Sequence, residues 1–342
     1  MMNTRELIRK DLPFERASIM EIGALNRPFV TKSETDVIYV DHADTEALRK
    51  KYAVGHGLDT SEIVHVDAVW GQNSLADCLG GRKVDYVIAS HVIEHVPDLV
   101  TWLRELSSIL NENGEIRLVV PDKRYTFDYT RRPTELPEVI EAHVRRARRP
   151  QPWNILDHIL NVRAVDGHAA WSGPLALDQI PKLHTFQQAV SLAESAIRTD
   201  EYHDVHCWVF TPESFSRLMA TMVEYDLIDL ECHEFRDTQE ETIEFTVFLR
   251  RTNDRAAAVA SWIRMADASS SDLYESAEAI ELERMRHDVE SLRHEVASAH
   301  RVAGNARAEL DAMKRSHSWR VTEPLRRFVS LLRSARGART TH

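Results

Sequence analysis

Two histidines, His91 and His95, stand directly after the apolar run Val84–Ala89, with Glu94 between them. An imidazole titrates near neutrality, so either ring can take or give a proton at physiological pH. Upstream, two more short apolar runs end on carboxylates, at Asp41 and at Asp67. An acid closing the second strand of a parallel sheet suits a ribose diol, whose vicinal hydroxyls one carboxylate satisfies through paired charge-assisted bonds. The first such run, Ser18–Ile22, is followed by Gly23, where the missing Cβ lets backbone approach a ligand closely. The turn Gly-Ala-Leu-Asn-Arg-Pro carries one glycine where the dinucleotide fingerprint wants three. A nucleoside is implied and a pyrophosphate is not. Further chemistry-bearing residues are Asp122 with Lys123 and Arg124, the pair Asp157-His158, His168, and the cluster His203-Asp204-Val-His206.

The elements that must position these residues alternate. Strands are expected at about 18–22, 36–41, 63–66, 84–89 and 115–120, their apolar runs suiting a sheet covered on both faces. Helices are expected at 44–52, with an acidic first turn and a basic last one, and at 98–110, with Asn113-Gly114 turning the chain into the fifth strand. Such alternation predicts an α/β sheet with right-handed crossovers. From 121 to 206 the pattern weakens into a long insertion with helical pieces near 134–147 and 178–198, which can build a lid or substrate pocket. Thr211-Pro starts another helix. Strands at about 227–236 and 242–250, joined by a short connection, form an antiparallel hairpin at the sheet edge.

At this point the sequence resembles a class I S-adenosylmethionine-dependent methyltransferase of the type 11-like group. Glu21-Ile-Gly-Ala, Val40-Asp41, Val66-Asp67, the segment Ala89-Ser-His-Val-Ile-Glu-His-Val-Pro-Asp98 and Val120-Pro-Asp122 carry the resemblance over residues 15–250. It implies a seven-stranded doubly wound, Rossmann-like sheet with a terminal antiparallel hairpin, and S-adenosyl-L-methionine as cofactor. By the resemblance, Glu21 and Gly23 lie under the methionine part, Ala24 is a further cofactor-binding residue and Asp41 binds the ribose. Asp67 and Ala68 face the adenine, and Ala89 and Ser90 line the methionine and sulfonium. Methyl transfer is an in-line displacement, and an alcohol acceptor needs a partner for its proton. His91, His95, Asp122 and His158 are the catalytic candidates. Some quinone and RNA methyltransferases of this fold bind a divalent metal through Glu and His after the fourth strand. Here Glu94-His95 before Val-Pro-Asp is read as packing and hydrogen-bonding locally, without metal. Lys123-Arg124 either hold an anionic acceptor or are solvated, and the arginines of Val144–Arg149 read as an exposed helix face.

Charge is unevenly spread over the 342 residues. The formal net is -11, but from Lys314 onward eight Lys/Arg face one acid, a net of +7 that leaves -18 for the first 313 residues. An acidic body argues against nucleic acid as its substrate, and the basic tail wants something anionic. Three cysteines without metal-type spacing read as reduced thiols in a cytosolic compartment. No apolar signal core and no 18-residue apolar run is present, so secretion by that route and membrane spanning are not expected.

The domain expectation is a methyltransferase domain at 1–252 containing the insertion 121–206, a linker at 253–276, a coiled coil at 277–315 and a basic amphipathic tail at 316–342. Leu282, Met285, Val289, Leu292, Val296, Ala299, Ala303, Ala306, Leu310 and Met313 follow heptad spacing, which predicts a homo-oligomer of unspecified number. The tail segment Ser-x-Ser-Trp-Arg-x-Thr-x-Pro-Leu-Arg is similar to one at the ends of coiled coils in bacterial surface-polysaccharide glycosyltransferases. It suits lying on an anionic inner-membrane surface, or docking on a partner protein such as a glycosyltransferase. By analogy of the tail, the expected acceptor is a sugar hydroxyl of a bacterial surface glycan. The rivals are a small metabolite or quinone acceptor, and a catalytically idle scaffold acting through its coiled coil.

Overall fold

The computed structural model describes residues 2–53, 58–71, 73–199, 201–269, 307 and 312–327. It divides into two units, Met1–Ala277 and Glu278–His342. The first is built on a seven-stranded sheet: β1 (Ser18–Ile22), β2 (Asp36–Asp41), β3 (Ala68–Val69), β4 (Val84–Ser90), β5 (Leu110–Pro121), β6 (Leu230–Arg236) and β7 (Glu244–Arg251). The spatial order is β3-β2-β1-β4-β5-β7-β6, parallel up to β5 and antiparallel from β5 to β7 to β6. This is the Rossmann-like sheet with a terminal hairpin that the sequence predicts.

Alternation along each strand sorts side chains onto two buried faces. Met20, Ile22, Val87, Ala89, Ile116, Leu118, Val120, Val247 and Leu249 face one core, completed by helices α4 (Leu99–Ser108) and α9 (Pro212–Glu224). Ile19, Val37, Tyr39, Ile88, Val119 and Phe248 face the other, against helix α1 (Thr4–Arg9). Arg117 is buried on that second face. Its guanidinium donates to the Ile8 and Lys10 carbonyls at 2.6 and 2.7 Å, ion-pairs with Glu115 at 2.8 Å and lies over the Phe248 ring at 4.6 Å. Five fixed donors are thereby spread over partners that can satisfy a buried cation.

Three local expectations change. The third strand is expected at 63–66, but pairing starts at Ala68, opposite Val40. The amide of Val66 is taken by Thr45 Oγ1 at 2.9 Å and that of Asp67 by the Tyr39 carbonyl at 2.8 Å, so the ladder is joined late. Asn113-Gly114 does not end the fourth helix. It lies inside β5, where Asn113 has φ +64° and the register to β4 slips between Val84 and Tyr86. The stretch 253–276, expected as a linker, contains helix α10 (Arg255–Ala268) packed against β6 and α9. Trp262 is fully buried there and its indole N–H donates to the Leu230 carbonyl at 2.9 Å.

Between β5 and α9 the insertion forms α5 (Leu136–Val144), α6 (Pro152–Asn161), α7 (Gly167–Ser172) and α8 (Phe186–Arg198). Ile155 and Ile159 of α6 pack on Ala189, Ala193 and Ala196 of α8 in a small core of their own. In the second unit, Ser316 caps a short helix, His317–Val321, and Arg326 stacks over the Trp319 ring at 3.8 Å. Of the expected heptad positions only Met313 is described, in a helical turn and exposed. The others, and the tail beyond Arg327, lie outside the described residues. Among the described residues no helix is long and apolar enough to cross a membrane.

If α10 belongs to the fold, Trp262→Ala lowers unfolding stability by about 3–5 kcal/mol in urea titration, as large-to-small core changes do. A loss of under about 0.5 kcal/mol, the value for a free surface site, would mark the segment as a linker after all.

Candidate active site

The carboxyl ends of β1, β2 and β4 open onto a cleft of about 1280 Å³. Gly23, Asp41, Val69, Trp70, Asn73, His91, Val92, His95, Tyr202, Asp204 and the run His143–Arg149 are among its lining residues. Ligand pockets commonly hold about 300–1,000 Å³, so the volume has room for a nucleoside-sized molecule and a second reactant.

Gly23 is required twice over. Its φ of +73° lies in the left-handed region, and a Cβ there would stand 2.8 Å from Val92 Cγ2. Backbone therefore forms the floor where β1 meets the segment after β4. Asp41 is buried, its Oδ1 accepting the His42 backbone N–H at 2.7 Å and lying 2.6 Å from His42 Nδ1, which leaves Oδ2 as an acceptor toward the cleft. Trp70 is fixed at the rim because its indole N–H donates to Glu105 Oε2 at 3.0 Å. With Val69 it offers an apolar surface to a base, and Asn73 a polar edge. These residues fit the adenosine end of S-adenosylmethionine: a diol acceptor, a base-sized apolar wall and a Cβ-free floor.

Several expected site residues are placed elsewhere. The Glu21 carboxylate turns away from the cleft and accepts the backbone N–H groups of Phe29 and Val30 at 2.7 and 3.1 Å. It anchors the loop after Gly23, and burial pushes its carboxyl up to about 7 against those two hydrogen bonds. Asp67 is held by Lys32 at 2.5 Å and by the Tyr39 N–H at 2.9 Å, outside the cleft lining. Further along the chain, Val69 and Trp70 are the residues of this segment that line the cleft. Ala24 packs against the α1-side core, while Ala68 and the fully buried Ala89 pack on the other. Ser90 ends β4 half-buried. Asp122 is fully buried under Arg124 at 2.7 Å and the Thr238 hydroxyl at 2.7 Å, so it braces the chain after β5 rather than serving as a catalyst. Lys123 Nζ donates to the Tyr129 carbonyl at 2.8 Å, so neither member of the Lys123-Arg124 pair is a solvated clamp. His168 is exposed beside Glu241.

Two of the catalytic candidates, His91 and His95, do line the cleft. His91 has φ +51°, strained for a non-glycine residue, and such outliers cluster where a side chain must be aimed. Its Nε2 lies 2.8 Å from Glu244, and His95 Nδ1 lies 2.9 Å from Asp204. Burial disfavours both imidazolium ions, but the bonds to these carboxylates and nearby Glu94 outweigh it and leave both pKa values raised. Glu94 itself is fully buried and neither of its oxygens has a hydrogen-bond partner, contrary to the expected local hydrogen bonding. Opposite it stands His206, whose Nδ1 meets Asp128 at 2.5 Å.

That wall is held by Arg131, almost wholly buried, which donates to Asp128 at 2.7 Å, to Asp157 at 2.9 Å and to the His206 carbonyl at 2.9 Å. His158 lies behind it, its Nδ1 accepting the His206 backbone N–H at 3.3 Å. Burial and the neighbouring Arg131 push His158 down to about 3, so it is a neutral brace and not a catalytic acid or base. The arginines expected on an exposed helix face follow the end of α5, where Arg145, Arg146, Arg148 and Arg149 line the mouth of the cleft. Asp204 belongs to the cluster His203-Asp204-Val-His206 read from the sequence, whereas Trp70 and Tyr202 carry no such signal.

A family model described as "Methyltransferase domain" matches residues 6–222. No curated protein matches the chain. Among solved structures, one from Rhodobacter sphaeroides described as a candidate Zn-dependent alcohol dehydrogenase is 14% identical, covering 73% of this chain and 90% of that one at a TM-score of 0.41. The CcbJ methyltransferase from Streptomyces caelestis is 9% identical, with 69% and 89% covered at 0.35. The DhpI–SAH complex is 14% identical, with 73% and 83% covered at 0.29.

The geometry separates the two acids that the sequence put at the ends of β2 and near β3. Asp41→Ala should weaken S-adenosylhomocysteine binding about 10–100-fold by calorimetry, the worth of a hydrogen bond to a charged group. Asp67→Ala should change it less than twofold; equal losses would place the adenine at Asp67 instead of Trp70.

Proposed function

Because the chain belongs to the methyltransferase-domain family and is an S-adenosylmethionine-dependent methyltransferase, we propose that it O-methylates a sugar hydroxyl on an anionic glycan or glycan precursor. The observation that carries this reading is the shared cleft. The Cβ-free turn at Gly23 and the diol acceptor Asp41 occupy one end, and His91 and His95 stand across from them.

When bound, the cofactor supplies an electrophilic methyl group on a sulfonium. The chain's own contribution is placement, since methyl transfer by displacement needs the acceptor oxygen and the methyl carbon aligned at about 3–3.5 Å. Asp41 Oδ2 holds the ribose end, Val69 and Trp70 cover the base, and Gly23 lets the donor lie against backbone. His91 is bound through Nε2 to Glu244, which fixes the tautomer with the proton on that side and leaves Nδ1 free to accept the proton of an alcohol. Arg145, Arg146, Arg148 and Arg149 give the cleft mouth a positive field in an otherwise acidic body, which supports an acceptor carrying phosphate or carboxylate. The choice of a sugar rests on the tail sequence 316–336 and its likeness to tails of polysaccharide enzymes. The heptad spacing across 277–315 supports assembly of several copies, and the basic tail supports contact with an anionic membrane surface or a glycosyltransferase.

Transfer of a labelled methyl group from S-adenosylmethionine to a panel of acidic and neutral glycans tests the proposal. Incorporation into acidic glycans, abolished by blocking the hydroxyl, is the expected result, and incorporation only into quinones or amines contradicts it. His91→Gln should lower kcat about 10²–10⁴-fold, the usual worth of a general base, with S-adenosylhomocysteine affinity unchanged.

A further inference from the structure

We propose that Glu94, His95 and His206 form a binding site for one divalent first-row transition-metal ion, reached from the cleft at His95. One ligand atom from each of these three residues lies within 4.8 Å of the others. His95 Nε2 and His206 Nε2 approach Glu94 Oε1 to 3.8 and 4.0 Å. Ligands about 2.0–2.2 Å from a tetrahedral ion stand about 3.4 Å apart, so the two edges to Glu94 need to shorten by roughly half an ångström.

Two features make a cation the fitting occupant. Glu94 is fully buried and both its oxygens lack a hydrogen bond, an arrangement that costs several kcal/mol unless a positive charge compensates it. The histidines are also oriented from behind. Asp204 lies 2.9 Å from His95 Nδ1 and Asp128 meets His206 Nδ1, so a carboxylate stands behind each ring. The inner nitrogens face the Glu94 carboxylate, and a carboxylate behind each imidazole is the usual support of a metal-bound histidine. A shared proton fits less well, because 3.8 and 4.0 Å exceed hydrogen-bond length.

Two imidazoles and one carboxylate select Zn²⁺, Fe²⁺, Mn²⁺ or Co²⁺ over Ca²⁺ and Mg²⁺, which prefer all-oxygen sites. The set leaves coordination positions open, and His95 and His91 line the cleft there. An acceptor hydroxyl bound at an open position would be acidified by the ion and lie beside His91 Nδ1, itself 3.6 Å from Glu94 Oε1. This use rests on the methyl-transfer reading, whereas the binding of the ion does not.

Full-length protein stripped by chelator and titrated with Co²⁺, followed by calorimetry and visible absorption, tests the site. One equivalent per chain with imidazole-type d–d bands is expected. Glu94→Gln and His206→Ala should abolish both signals while S-adenosylhomocysteine still binds, and Asp204→Asn should weaken the ion about 10–100-fold. No uptake by the wild type, or uptake unaffected by Glu94→Gln, overturns the proposal. Should these variants not fold, Zn²⁺ added to ¹⁵N-histidine-labelled wild type must shift the ring nitrogens of His95 and His206, and unmoved resonances overturn it equally. Because the cobalt and S-adenosylhomocysteine titrations are separate, a missing metal and a missing cofactor are told apart.

Discussion

The close approach of Gly23 to Val92 is the constraint on which the site depends. With a would-be Cβ only 2.8 Å from Val92 Cγ2, a larger residue at the end of β1 would push Val92 away, and φ +73° strains any side chain there as well. The contact draws the turn after β1 and the segment after β4 into one floor. Everything chemical is referenced to it. Asp41 ends the strand beside β1, and His91, Glu94 and His95 flank Val92 in sequence. The contact therefore sets the distance between the nucleoside end of the cleft and its histidine end.

The second tie is polar and long in sequence. The amides of Cys207 and Trp208 both donate to the Glu94 carbonyl, at 2.6 and 3.2 Å, and the Trp208 indole N–H donates to the Val96 carbonyl at 2.6 Å. These bonds seat the end of the insertion on the segment after β4 and bring His206 to the Glu94 carboxylate. Arg131 then holds the same wall through Asp128, Asp157 and the His206 carbonyl. A buried guanidinium costs several kcal/mol to desolvate, and three directed partners offset that cost while fixing the geometry. Stability and site shape thus come from the same side chains.

The sheet was largely legible in the sequence, because short apolar runs bounded by turn residues leave few alternatives. β1 and β2 fall on the expected residues. The third strand was not, since a hydroxyl from Thr45 and a carbonyl from Tyr39 decide where its pairing begins, and neither is visible in the local pattern. Asp67 lies just before that pairing begins, bound to Lys32 and to the Tyr39 N–H, and does not line the cleft. Helix α10 was missed because Arg-Ala-Ala-Ala-Val-Ala shows little apolar stripe, and it buries Trp262 and Met265 beside small residues. In the insertion, α8 packs through alanines, which periodicity weighs lightly. Gly23, Asp41, His91 and His95, singled out by type and position, all line the cleft. The meeting of Glu94 with His206 was not legible, because 112 residues separate them and only the docked insertion brings them together.

The most direct measurement is a crystal structure of the protein with S-adenosylhomocysteine bound. The account places the ribose on Asp41, the base against Val69 and Trp70, and the sulfur over Gly23 facing His91 and His95. A ligand whose ribose lies away from Asp41, or whose sulfur points from Gly23 toward a wall without histidines, would contradict it.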